Sequence, residues 1–261
     1  KKGAIIIMER GSKHILEQKK ILEKNPHKKN EAIPNRNIKC NLKAYQFANF
    51  ISVASQHVKE SFLLHQYPEN RIFVNPYGVD LSMFKPLPNI PKKYDVIMVG
   101  GWGYEKGCDL IVEAIRKTNY SFIHVGSIKD VDFPQEKNFT HIDPVDQSKL
   151  IEYYNQAKVF ILPSRQDGFG MVLSQALACN LPIIGSNNCG APDLKKMVEL
   201  PEYITIIKDY TADAIVTAIH TAIKNYEQLG ERIYAGNAIE NLTWEAYGKR
   251  YANFLHKIIK Q

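Results

Sequence analysis

The sequence predicts an α/β protein built on parallel sheets, and three observations carry this. Short apolar runs rich in Val, Ile and Phe alternate with helix-periodic segments along most of the chain, the mark of βαβ units. Some runs are apolar at every position, as at Val159-Phe160-Ile161-Leu162, which suits strands buried on both faces. Two of them empty into glycine-containing loops that open helices, one beginning at Val99-Gly100-Gly101 and one ending at Gly168-Phe169-Gly170. At 261 residues, 44% of them hydrophobic and 23% charged, the chain is large enough for two ordinary domains and has globular composition.

The elements follow in order. Residues 4–8 form an apolar run that reads as a buried strand. Ser12 is placed to cap a helix running to about Lys24, and Asn25-Pro26 ends it. Residues 27–40 are polar and read as loop, residues 44–50 as helix, 50–54 as strand, 57–64 as a short helix and 71–74 as another short strand. Pro76, Pro86, Pro88 and Pro91 then mark a linker over 76–93. Beyond it strands are expected at 94–99, 121–125, 140–142, 158–162, 182–185 and 203–207. Helices are expected at 108–117, 147–155, 171–179, 212–229 and from Thr243-Trp244 to residue 259. Residues 94–242 thus read as a complete Rossmann-like domain and 243–261 as a terminal helix. Residues 1–75 supply only about two strands and three helices, too few to bury both faces of a second sheet, so apolar surface is expected near residues 5–7 and 51–53.

Net charge is +7 but uneven. Residues 1–43 hold 12 Lys and Arg against 4 Asp and Glu, while the other 218 residues hold 22 against 23. This basic segment can be a solvated surface, or can face phosphates or an anionic membrane; no aromatic-rich nucleic-acid motif accompanies it. Cys40, Cys108, Cys179 and Cys189 make no CxxC pair and no zinc-finger spacing with His, so they read as free thiols in a reducing compartment. No apolar run approaches the ~20 residues of a membrane span.

Three segments carry candidate chemistry. In Gly168-Phe169-Gly170 a helix begins with unpaired N–H groups, Asp167 just before it and Gln175 inside it, a grip for an anionic, polyhydroxylated ligand. In Gly100-Gly101-Trp102-Gly103-Tyr104-Glu105-Lys106-Gly107, glycines and a lysine at a helix start suit a pyrophosphate. Glu9-Arg10-Gly11-Ser12-Lys13-His14 follows a strand, at the end where parallel sheets place ligands. There His14 can bond a hydroxyl or phosphate, or simply start the helix.

Taken in order, these segments resemble the large retaining family 4 of GT-B glycosyltransferases. Asp167 to Gln175 is similar to its E-G-F-G-x4-E segment, with Asp and Gln at the two Glu positions. Gly100 to Gly107 is similar to its G-R-x4-K-G segment; Lys106-Gly107 matches, whereas Gly101 stands at the Arg position. Asn188 to Asp193 resembles its G-G-x-P-E turn, and Trp244-Glu245 its terminal helix start.

The resemblance implies a GT-B fold: a complete C-terminal domain, plus the latter part of an N-terminal domain whose beginning is expected to lie outside this chain. It implies transfer of a sugar, with retention and without a metal or other cofactor, from a UDP- or GDP-linked donor to a saccharide or lipid-linked saccharide acceptor. Cell-surface glycan or polysaccharide assembly is the expected setting, in the cytoplasm or at the inner face of the membrane. Asp167 would hold the donor sugar, Gln175 the ribose, and the loop at Val145 the base. Lys106, the turn at Gly101 and the helix end at Gly168, Phe169 and Gly170 would hold the diphosphate. Asp167, Lys106 and His14 are the expected catalytic residues, with Arg10, Ser12 and Arg165 lining the cleft and Arg10 or Arg165 standing in for the missing cation. The competing readings are a non-catalytic nucleotide-sugar binder and an anionic membrane or polymer binder acting through residues 1–43.

Overall fold

The computed structural model describes residues 3–27, 33–198, 201–229 and 240–260. Two parallel sheets organise it. The first has three strands, β1 (Ile7–Arg10), β2 (Phe50–Val53) and β3 (Ile72–Val74), in that spatial order. Three helices connect them: α1 (Ile15–Leu22), α2 (Asn35–Phe47) and α3 (Gln56–Leu63). Their apolar residues Ile15, Ile38, Tyr45, Val58 and Phe62 bury Ile51 and Val53 of the middle strand.

The second sheet has six strands. They are β4 (Tyr94–Val99), β5 (Phe122–Val125), β6 (Phe139–Ile142), β7 (Ala157–Leu162), β8 (Ile183–Ser186) and β9 (Ile204–Ile207). Their spatial order is β6-β5-β4-β7-β8-β9, all parallel, the doubly wound arrangement of dinucleotide-binding folds. The helices are α4 (Cys108–Arg116), α5 (Leu150–Asn155), α6 (Met171–Ala178), α7 (Ala191–Met197) and α8 (Ala212–Leu229). Strands β4 and β7 are central, so Val96, Ile97, Met98, Val159, Phe160 and Ile161 are fully buried, as two-sided burial requires. The final helix, α9 (Trp244–Ile259), is capped by Thr243 and lies on the first sheet. Its Phe254 stacks on Phe73 at 4.2 Å, and its Tyr247 donates to Glu9 at 2.9 Å.

Several expectations for residues 1–75 are corrected. The first strand begins at Ile7, three residues later than its apolar run, leaving Ile5 and Ile6 half exposed. Helix α1 is capped by His14 rather than Ser12. Helix α2 starts at Asn35, inside the stretch read as loop, because Ile38, Tyr45 and the partly buried Leu42 share one face of an otherwise polar helix. The sheet has three strands, not about two, and both its faces are covered, by α2 and α3 on one side and by α9 on the other. Residues 51–53 are therefore buried rather than exposed. Within 76–93, Val79 and Phe84 belong to the core of the larger sheet.

Candidate active site

The order of the larger sheet reverses between β4 and β7, the point where open α/β sheets form a crevice beyond their strand ends. Residues 100–107 and 163–170 are the two loops that meet there. Gly107 sits at φ +77° and so close to the carbonyl of Pro163 that a Cβ would collide with it, so only glycine allows the loops this approach. The contact carries Lys106 to the second loop, where its Nζ lies 2.6 Å from Asp167 Oδ2. The other oxygen, Oδ1, accepts from the Phe169 N–H at 3.3 Å, and the Asp167 N–H donates to the Asn188 carbonyl at 2.8 Å.

Helix α6 begins directly after this carboxylate. Gly170, at φ +79°, caps it without a side chain, so its first N–H groups add positive potential beside Lys106. Burial raises the Glu105 carboxyl above its ordinary pKa, which weakens the anion nearest to Lys106 in sequence. An ammonium has three donors, so Lys106 can keep its bond to Asp167 and still offer two to a further anion.

Residues of the smaller sheet form the other wall. Gly168 packs against the Gly11 carbonyl with no room for a Cβ. Ser55 Oγ donates to the Gly168 carbonyl at 2.6 Å, and His57 Nε2 lies 2.8 Å from the Asp167 carbonyl. The Gln56 N–H donates to Asp193 at 3.0 Å, and Lys13 Nζ to Asn188 at 2.7 Å. The Asp167-Gly168 turn is thereby clasped from the side opposite Lys106. Sequence analysis missed Ser55 and His57; their one signal was their place just after an apolar strand, the ligand-facing end in such folds.

Four expected site residues have other roles. His14 is 4% exposed. Its Nδ1 accepts from the Leu16 N–H at 3.4 Å and its ring stacks on His65 at 3.9 Å, between Tyr45 and Phe62. Burial, reinforced by His65 and Arg10, lowers its pKa to about 4. It is a neutral core residue that caps α1, not a group facing the cleft. Arg10 donates to the Lys13 carbonyl, Asn41 and Gln18, which pins the β1–α1 loop. Arg165 forms a two-pronged bond to Asp109 at 2.6 and 2.7 Å, with its guanidinium 3.7 Å above the Tyr104 ring. Neither arginine is available as the missing cation at Gly101. Ser12 is half-buried beside Gly168, where its backbone rather than its hydroxyl makes the approach.

The other positions have the following surroundings. Val145 is half-buried in the loop after β6. Phe169 is buried against Tyr77, the ring centroids 5.9 Å apart. Gln175 is 7% exposed, and its Oε1 accepts from the Tyr154 hydroxyl at 2.9 Å. Residues 188–193, read as a turn, lead into helix α7, which already begins at Ala191 with Pro192 in its first turn. Among the described residues, no three His, Cys, Asp or Glu side chains converge to hold a metal ion, and no helix is long and apolar enough to cross a membrane.

The sequence profile described as "Glycosyl transferases group 1" matches residues 82–238. The chain is 26% identical over 242 residues to a probable sucrose-phosphate synthase of Thermosipho melanesiensis, covering 82% of this chain and 56% of that protein. It is 23% identical, again over 242 residues, to a GDP-mannose-dependent alpha-(1-6)-phosphatidylinositol monomannoside mannosyltransferase of Mycolicibacterium smegmatis, covering 80% and 62%. The chain thus spans little more than half the length of these curated relatives. In fold, it superposes on Anabaena HepE, solved in complex with UDP and glucose, with a TM-score of 0.72 at 14% identity, covering 97% of this chain and 71% of that one.

Proposed function

This chain belongs to the glycosyl transferases group 1 family, and from that premise we propose that it moves a sugar from a nucleoside diphosphate donor to a hydroxyl acceptor with retention of configuration. The supporting observation is the Lys106–Asp167 pair at the uncapped start of α6, where two glycine loops meet at the switch point of the sheet. A departing diphosphate gains charge there. Lys106 and the first N–H groups of α6 would stabilise it, in a site half-shielded from water. Asp167, held by Lys106 and Phe169, would accept hydrogen bonds from the sugar hydroxyls and orient the ring. UDP in the complex of one structural neighbour and GDP-mannose in the name of one relative support a nucleotide-sugar donor. The acceptor would be a saccharide or lipid-linked saccharide of a cell-surface glycan or polysaccharide.

Calorimetry tests the donor site. Lys106→Ala is expected to weaken nucleoside diphosphate binding by ~1.5–3 kcal/mol, the scale of a charged hydrogen bond. Affinity equal to that of the unmodified chain would remove Lys106 from the site.

A further inference from the structure

Gly101 leaves one cation short in the glycine loop, and the structure places another lysine over the gap. Strands β4 and β5 go on pairing beyond their ends. The Gly100 N–H donates to the Val125 carbonyl at 2.9 Å, and the Trp102 N–H to the Ser127 carbonyl at 2.8 Å. The Lys129 N–H then donates back to the Trp102 carbonyl at 2.9 Å, and Trp102 and Ile128 form a parallel bridge. Trp102 is fully buried, so this register is held. It sets residue 129 beside residue 103, and from there the Lys129 side chain reaches back over residue 101. With no side chain at 101, the Lys129 stem lies across the glycine: a Cβ there would run into Lys129 Cε and come within 2.9 Å of its Nζ. Positions 101 and 129 therefore compete for one volume.

Lys129 and Lys106 line the same cavity of about 190 Å³, closed by Leu22 and Asn25 of the smaller-sheet unit. Two carboxylates also border it. Asp130 is spoken for, its Oδ1 accepting from the Tyr104 N–H at 2.9 Å and its Oδ2 from Asn25 Nδ2 at 2.7 Å. Glu105 is partly buried, a position that disfavours its charged form. Among the described residues Lys129 Nζ makes no hydrogen bond or ion pair, and its side chain is exposed. A free ammonium facing a second lysine across a glycine floor is an arrangement that a polyphosphate anion completes. On the reading that this crevice binds a nucleoside diphosphate, we infer that Lys129 is a second binding residue for the diphosphate, filling from the loop after β5 the place that Gly101 leaves open in the loop after β4.

The test is calorimetric titration with UDP, GDP and ADP, each beside its nucleoside, into the whole chain and its variants. Lys129→Ala is expected to weaken the bound diphosphate about tenfold, the scale of one charged hydrogen bond, and to leave nucleoside affinity unchanged. Adding Gly101→Arg to Lys129→Ala should restore most of the loss, because the arginine then enters the vacated space. A Lys129→Ala chain that binds diphosphate normally while Lys106→Ala does not would overturn the assignment and leave the donor site standing. Equal loss for nucleoside and diphosphate would also overturn it, making Lys129 a packing residue. If the unmodified chain bound none of the three diphosphates, the donor reading would fail and this inference with it.

Discussion

Both walls of the cleft carry cationic side chains near strand ends, but those two sets are spent differently. On the smaller-sheet wall, Arg10 is absorbed by the β1–α1 loop and Lys13 by docking to Asn188. Histidines there go the same way: His14 is packed in the core and His57 rests on the Asp167 carbonyl. On the larger-sheet wall, Arg165 is likewise consumed by Asp109, yet Lys106 retains spare donors and Lys129 has no partner among the described residues. The residue types do not distinguish the walls; the state of their hydrogen bonds does. One wall uses its cations to hold and position the second loop, whereas the other leaves donors of Lys106 and Lys129 unused among the described residues.

The contrast breaks most severely at the point where the walls touch. Gly168→Ala would drive a Cβ into the Gly11 carbonyl, and both partners are backbone with no rotamer to give. Urea unfolding is expected to show a loss of about 3 kcal/mol, the upper range for overpacking. Diphosphate affinity should fall with it, because Asp167 moves with the turn. A variant as stable as the unmodified chain would mean that the walls do not depend on this contact.

Acid should separate the two units next. Burial is the largest cause that lowers His14, His57 and His124 to a pKa of about 4. An unfolded histidine titrates near 6.5, so between pH 6.5 and 4 the unfolded chain binds more protons than the folded one. Stability is therefore complete above about pH 6.5 and falls as pH drops toward 4. Two of the three lie in the smaller-sheet unit. Its Tyr45 and Phe62 surroundings should lose protection from hydrogen exchange at higher pH than β4 and β7. Simultaneous loss in both units would show that the histidines do not set the order.

The same division governs what could be read without coordinates. Residues 94–99 and 212–229 match β4 and α8 end to end, because full burial or a long amphipathic face makes the pattern strong. In the smaller unit, the first two turns of α2 were hidden because one narrow apolar face is diluted among Asn, Lys and Arg. The start of β1 was misplaced because Ile5 and Ile6 are apolar without being buried. At the candidate site, Lys106, Asp167 and the glycine loops, which the structure brings together, lie in motifs contiguous in sequence. Lys129 was not, since its neighbour Gly101 is set by strand pairing 28 positions away in the chain. His14 and Arg10 were overvalued for a related reason: their partners Ser61, His65, Gln18 and Asn41 come from elements that only the fold assembles.

The smallest expected effect is at Gln175, on the floor of the larger-sheet wall. Its carbonyl oxygen is already taken by Tyr154, a fully buried phenol packed against Phe84 and Phe160. What remains for a ribose is the amide NH₂, a donor, where a glutamate would offer an acceptor. Gln175→Glu keeps an oxygen for Tyr154 and presents a second one to the ribose hydroxyls, so it is expected to preserve UDP or GDP binding. If Gln175 bonds the ribose, Gln175→Ala is expected to cost about 1 kcal/mol of affinity, one neutral hydrogen bond. It also strands the Tyr154 hydroxyl, which would lower stability and confuse the result. Pairing it with Tyr154→Phe removes the stranded group and isolates the ligand term. If Gln175→Ala in that background and Gln175→Glu alone both bind as tightly as their parent chains, Gln175 serves only to satisfy Tyr154, and the ribose must be held by other groups at this wall.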